Sequence, residues 1–178
     1  VPLSVLELSG KTKVRDLINK KDEKSVKDNL KFDVQPHGVK ILKLEGENRL
    51  EPSVYEAEWA YLNMYDDLAK RKRGIVAMPY HGASGGMIVS NIGGQKDNYA
   101  EWREVYSENG GKYKMTVYYV PVKGKGREIN DRKLEISVNG NMVILSDFES
   151  GNTGTVLSRE ITVDLMKGYN VIRMGSRY

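Results

Sequence analysis

The stretch "KLEISVNGNMVILS" (133–146) decides the fold class. Leu134, Ile136 and Val138 alternate with Lys133, Glu135 and Ser137. That is the two-residue period of a strand with one face in a core and one in water. Asn139-Gly140 follows, the dipeptide that accepts positive φ at both centres of a type I′ hairpin turn. "NMVILS" (141–146) then returns as the second strand. The pattern spreads outward from this hairpin. In "KYKMTVYYV" (112–120), Tyr113, Met115, Val117 and Tyr119 share a face. "GGMIVSNI" (85–92), "NYAEWREVY" (98–106), "TVLSREITVDL" (155–165) and "YNVIRMG" (169–175) read as further strands, set apart by turn signals such as "ENGG" and "KG". Within 98–106, Tyr99, Trp102 and Val105 stand three apart, which predicts a bulge or an outward-facing aromatic. "VYEAEWAY" (54–61) reads as the first strand of the set. Tyr55, Ala57, Trp59 and Tyr61 would point one way, and Glu56 and Glu58 the other, ~7 Å apart. Trp59 and Trp102 are expected in the core. "DDLAKRKRG" (66–74) reads as a short helical turn or a loop. Short strands at this spacing predict an all-β, antiparallel sandwich over 54–178.

Residues 1–48 read as a separate unit. "LSVLEL" (3–8) is expected to be a strand, after which "SGKTKVRDLIN" turns away. "KKDEKSVKDN" (20–29) is polar and charged, so an exposed loop is expected. "LKFDV" (30–34) and "GVKILKLE" (38–45) are expected strands joined by "QPHG". So few strands cannot bury a core alone. They are expected to pack on the sandwich or to pair with another copy's strands, because open edges seek partners. "EGENRLEPS" (45–53) is polar and carries a Pro, so residues 49–53 read as a linker.

Composition narrows the function. The 178 residues carry a net charge of +4, no cysteine, and only His37 and His81 as histidines. Disulfides, thiol catalysis, thiolate zinc and a histidine-rich metal site are excluded. The basic runs "LAKRKRG" (68–74) and "VKGKGR" (122–127) read as solvated loops, and no nucleic-acid partner is expected. No apolar run reaches membrane-spanning length, so no membrane partner is expected either. The opening "VPLSVLELSG" lacks a basic n-region, a long apolar run and an initiator Met, and it reads as the interior of a longer chain.

The blocks "YEAEWA", "GASGGMIVSNIGG", "NYAEWREVY", "GGKYKMTVYYV", "RKLEISVNG" and "KGYNVIRM", in this order, resemble carbohydrate-binding modules of families 35 and 6. The resemblance covers about 54–178 and implies a jelly-roll-like sandwich that binds sugar without catalysis. The first unit resembles the end of the C-terminal β-domain of glycoside hydrolase family 27, the α-galactosidase family. The carrying stretches are "VLELSGKTKVRDL" (5–17), without the family's Trp, and "FDVQPHGVKILKLE" (32–45). Together they imply an accessory module of an α-galactosidase-like enzyme that acts on galactose-containing glycans. A secreted, periplasmic or cell-surface bacterial protein is implied. The alternative is a structural or protein-interaction sandwich packed on the parent enzyme.

In such modules an Glu-Ala-Glu-like first strand gives carboxylates to a structural calcium, so the resemblance implies Glu56 and Glu58 as its ligands. Read from the residues alone, the pair could equally be solvent-facing charge on an edge strand. The family completes this site with an Asp after the last strand, and none follows Asn170. Sugar binding needs an aromatic platform and groups that hydrogen-bond hydroxyls. The loops "MPYHGASG" (78–85), "GGQKDN" (93–98) and "GSRY" (175–178) supply Tyr80, His81, Asp97, Asn98 and Tyr178 as candidates. No catalytic residue is expected. Glu56 and Glu58 have no sugar cleft built around them, and the resemblance implies that the hydrolase family's catalytic aspartates lie in a barrel outside these 178 residues.

Overall fold

The computed structural model describes residues 1–65, 74–93, 97–121, 133–147 and 154–175. The run 66–74 therefore lies almost wholly outside the described residues, as do 122–127 and Tyr178. The chain divides into two compact units, Val1–Pro52 and Ser53–Tyr178. No α-helix occurs among the described residues.

In the first unit, β1 (Leu8–Asp16), β2 (Lys21–Val26) and β3 (Leu42–Arg49) form an antiparallel sheet in the order β2-β1-β3. This departs from the sequence reading at almost every element. Leu3–Leu6 is a 3-10 turn and not a strand, and the segment expected to turn away is β1. The expected loop 20–29 contains β2, no strand forms at 30–34, and β3 starts at Leu42 and runs on to Arg49. The physical reason is visible in β1. Its buried positions alternate as they should, but they are Thr12, Val14 and Asp16. Two polar residues on the inner face hide the period from any hydrophobicity count. In β2, "KDEKSV" has no fully buried position, so only the ladder with β1 makes it a strand. Asp16 earns its buried place by capping the β1–β2 turn. Its carboxylate accepts the Ile18 N–H at 3.0 Å, the Asn19 N–H at 2.9 Å and Asn19 Nδ2 at 3.0 Å. These bonds, those from Asn19 foremost, hold its carboxyl below the ordinary carboxylate range. The "QPHG" turn is present: the Gly38 N–H donates to Gln35 O at 2.8 Å, with His37 at φ 61°.

The second unit is the sandwich. Its strands are β4 (Tyr61–Leu62), β5 (Val76–Pro79), β6 (Met87–Ser90), β7 (Tyr99–Ser107), β8 (Gly111–Tyr119), β9 (Lys133–Val138), β10 (Asn141–Asp147), β11 (Leu157–Leu165) and β12 (Gly168–Gly175). A five-stranded sheet runs β10-β9-β12-β7-β4, facing the β11–β8 pair, and β5–β6 forms a separate hairpin. All of these pairings are antiparallel. The core lies between the two larger layers. Val105, Ile136, Val138, Ile172 and Met174 come from one side, and Ile161, Val163 and Leu165 from the other, with Leu134, Met115 and Val117 packed against them. The β9–β10 turn has Asn139 at φ 50° and Gly140 at φ 83°, the doubly positive geometry of type I′. The irregularity expected in 98–106 is a bulge. Val105 faces Asn170 and Trp102 faces Ile172, so three steps on β7 match two on β12.

The stretch 54–61 is not a strand. Ala57–Trp59 is a 3-10 turn, and pairing begins only at Tyr61. Side chains replace the missing ladder. The Trp102 indole Nε1–H donates to Glu56 O at 3.1 Å, and the Tyr106 N–H donates to the Tyr55 hydroxyl at 3.2 Å. Trp102 and Tyr55 pack on the core as half-buried rings. Trp59, expected in the core, is 82% exposed, because the turn rotates it out of the alternation.

Candidate functional site

Although the strand is absent, Glu56 and Glu58 still converge. The meeting point is Gly85, on a second 3-10 turn, Ser84–Gly86. A β-carbon added at Gly85 would stand 3.0 Å from Glu58 Oε1 and 4.0 Å from Glu56 Oε1. Gly85 sits at φ 64°, which a side chain would also strain. The Ser84 hydroxyl donates to Glu56 Oε2 at 3.0 Å. Two turns far apart in sequence thus bring two carboxylates and a serine hydroxyl together. Among the described residues no group of three or more His, Cys, Asp or Glu could hold a metal. The donor set here is all oxygen, the type a hard divalent cation takes, and the bare glycine leaves room beside it. A cation here would complete its shell from backbone carbonyls and water.

Tyr80 and His81 belong to the same loop. The Tyr80 N–H donates to Gly86 O at 2.9 Å, and the Gly86 N–H to Ala83 O at 3.1 Å, which closes 80–86 into a compact turn. Tyr80 is half-buried, and its hydroxyl lies 3.9 Å from where a β-carbon of Gly154 would stand. His81 is exposed. Tyr80 and His81 therefore share a loop with Ser84, whose hydroxyl bonds Glu56. Asp97 is exposed at φ 62°, and its carbonyl accepts Asn63 Nδ2 at 2.6 Å, a link to the end of β4. Asn98 is fully buried, so its amide is enclosed by protein and not offered to solvent.

Sequence reasoning placed Trp59 in the core, and the structure leaves it exposed. Two other aromatics carry a guanidinium on a ring face. The Arg103 guanidinium lies over the Tyr61 ring at 3.9 Å, and that of Arg173 over the Tyr99 ring at 3.3 Å. Glu101 accepts the Arg103 Nε–H at 2.7 Å and raises that guanidinium's pKa further.

No family model matches the sequence, and no curated protein matches it. Solved structures do. A family 35 carbohydrate binding module from Clostridium thermocellum superposes with a TM-score of 0.57 at 30% identity, over 68% of this chain and 84% of that one. The chain belongs to the family 35 carbohydrate-binding modules. The native structure of a family 35 module from the same organism matches this module at 28% identity, TM-score 0.51, over 68% of this chain and 82% of that one. The exo-β-1,3-galactanase of Phanerochaete chrysosporium, solved with galactose, matches it at 26% identity and TM-score 0.53, over 68% of this chain and 25% of the galactanase. A further likeness extends beyond the module. The isomalto-dextranase of Arthrobacter globiformis T6, complexed with panose, covers 96% of this chain with 28% of its own, at TM-score 0.56. Its identity is 17%, so it shares the fold alone.

Proposed function

We propose that the module binds galactose-containing polysaccharide or oligosaccharide without hydrolysing it, as the accessory part of an α-galactosidase-like glycoside hydrolase. The observation that carries this is the 30% identity to a family 35 module across 84% of that module. The 26% identity to a galactanase solved with galactose supports the choice of sugar. The resemblance of residues 5–17 and 32–45 to an α-galactosidase β-domain supports the parent enzyme. Holding the enzyme on a polymer raises its effective concentration near substrate. Such a polymer lies outside the cell, and we place the protein there. The site is the loop end that holds Tyr80 and His81, with Asp97 on the adjoining loop. Tyr80 offers an aromatic face to the sugar's C–H groups, and His81 and Asp97 offer hydrogen-bonding groups to its hydroxyls. The test is retention of the protein on an immobilised galactose-containing polysaccharide. Free oligosaccharide should elute it, no reducing sugar should appear, and Tyr80→Ala with His81→Ala should lose retention.

We further propose that Glu56 and Glu58, with the Ser84 hydroxyl nearby, hold calcium. A bound cation supplies positive charge between two carboxylates that otherwise repel. Glu56 and Glu58 would then tie the 57–59 turn to the 84–86 turn, fixing the loop that carries Tyr80 and His81. At a hundred-fold excess over its Kd the ion stabilises the fold by roughly 2.7 kcal/mol. Chelation is expected to lower the Tm, modestly since no third acidic ligand joins the pair among the described residues. Glu56→Gln with Glu58→Gln should remove that difference. A Tm indifferent to calcium and chelator alike in the wild type counts against the ion and leaves the pair as surface charge.

A further inference from the structure

Trp59 is 82% exposed, the most exposed large apolar side chain among the described residues. An indole held in water forfeits the burial that a core position would give, so its presentation needs a reason. Its backbone is fixed. The Trp59 N–H donates to Glu56 O at 3.3 Å and the Ala60 N–H to Ala57 O at 3.1 Å, while the Trp102 indole clamps the same Glu56 carbonyl. A ring on a rigid turn loses little freedom on binding, which is the condition for a preorganised platform. The place matters as much. Glu56, three residues before it, accepts from Ser84, and Glu58, immediately before it, faces Gly85. The 57–59 turn that carries Trp59 therefore abuts the loop that carries Tyr80 and His81. Tyr61, two residues on, is less exposed, and Arg103 occupies one face of its ring.

We infer that Trp59 is a second aromatic platform that stacks on a sugar unit adjoining the one held at Tyr80 and His81. The module then recognises a chain and not a single sugar. This rests on the carbohydrate-binding function proposed above and deepens it: the ligand class becomes an oligosaccharide long enough to span both rings. The apolar C–H face of a pyranose covers the indole, while its hydroxyls stay near the polar groups of the two turns.

The test is titration calorimetry on the full chain with galactose and with a series of galactose-containing oligosaccharides of increasing length. Trp59→Ala should weaken the longer ligands about ten-fold, a change of ~1.4 kcal/mol, and leave galactose affinity unchanged. Trp59→Phe should recover part of the loss. Tyr118→Ala, which removes a 72% exposed aromatic on β8, should change nothing. Since Trp59 is exposed, the alanine variant should keep the wild-type Tm, which reads out folding separately. Saturation with a long oligosaccharide should also shield Trp59 fluorescence from iodide. Equal affinities of wild type and Trp59→Ala for every length, with iodide quenching undiminished, overturn the inference and leave the function standing. Concentration-dependent self-association of wild type that Trp59→Ala abolishes, with sugar affinities unaltered, also overturns it in favour of a second copy. If wild type binds no sugar of any length, the proposed function itself fails.

Discussion

Asn170→Ala should destabilise the sandwich by about 3 kcal/mol, the scale of breaking a buried hydrogen-bond network. Asn170 is fully buried at the start of β12. Its Nδ2 donates to Met166 O at 2.8 Å, Gly168 O at 3.1 Å and Val105 O at 3.3 Å. Its Oδ1 accepts the Met166 N–H at 2.7 Å and Asn139 Nδ2 at 2.9 Å. One amide thus closes the β11–β12 turn, anchors it to β7 and reaches the β9–β10 hairpin. Asn139 extends the link, since its Oδ1 accepts the Val171 N–H at 2.9 Å. Alanine leaves buried carbonyls and an N–H without that partner. Aspartate should be worse, because it would set a carboxylate against three carbonyl oxygens. Urea unfolding at constant slope gives the difference directly. A loss below ~0.5 kcal/mol, the size of an ordinary surface change, would mean that water replaces the amide at little cost.

Ile136→Ala should cost a comparable ~3 kcal/mol, within the 2–5 kcal/mol usual for such truncations in cores. Ile136 is fully buried on β9, the strand between β10 and β12. It lies opposite Met174 on β12 and Ile144 on β10, so the ladders on both sides fix the backbone around it. The cavity therefore has little freedom to collapse. Lys114→Ala is the control. Lys114 is 76% exposed and pairs with Glu160 at 2.9 Å across the β8–β11 ladder. A surface ion pair of this kind contributes about 0–1 kcal/mol. Similar losses for the two variants would contradict the placement of the core.

The sandwich was legible because its strands obey the rule that sequence patterns report. Leu134, Ile136 and Val138 alternate, and all three face the core. The three-residue spacing in β7 announced a bulge, and the register contains one. The first unit was not legible, because Thr12 and Asp16 occupy inner positions and β2 has no buried apolar residue. Trp59 misled for a different reason. Alternation assumes a ladder, and at 55–56 the ladder is replaced by bonds from Trp102 and Tyr106. Glu56 and Glu58 converge all the same, but on Gly85, a neighbour that no spacing rule points to. Asn98 was read as a candidate to bind sugar hydroxyls, yet it is enclosed.

The central claim, that this chain is a noncatalytic carbohydrate binder, is met most directly by a glycan array probed with the full chain, once with calcium and once with chelator. The account predicts selective binding to galactose-containing glycans, stronger for oligosaccharides than for the monosaccharide, and weakened by chelator. Absence of binding to every glycan under both conditions, by protein shown to be folded, would contradict it.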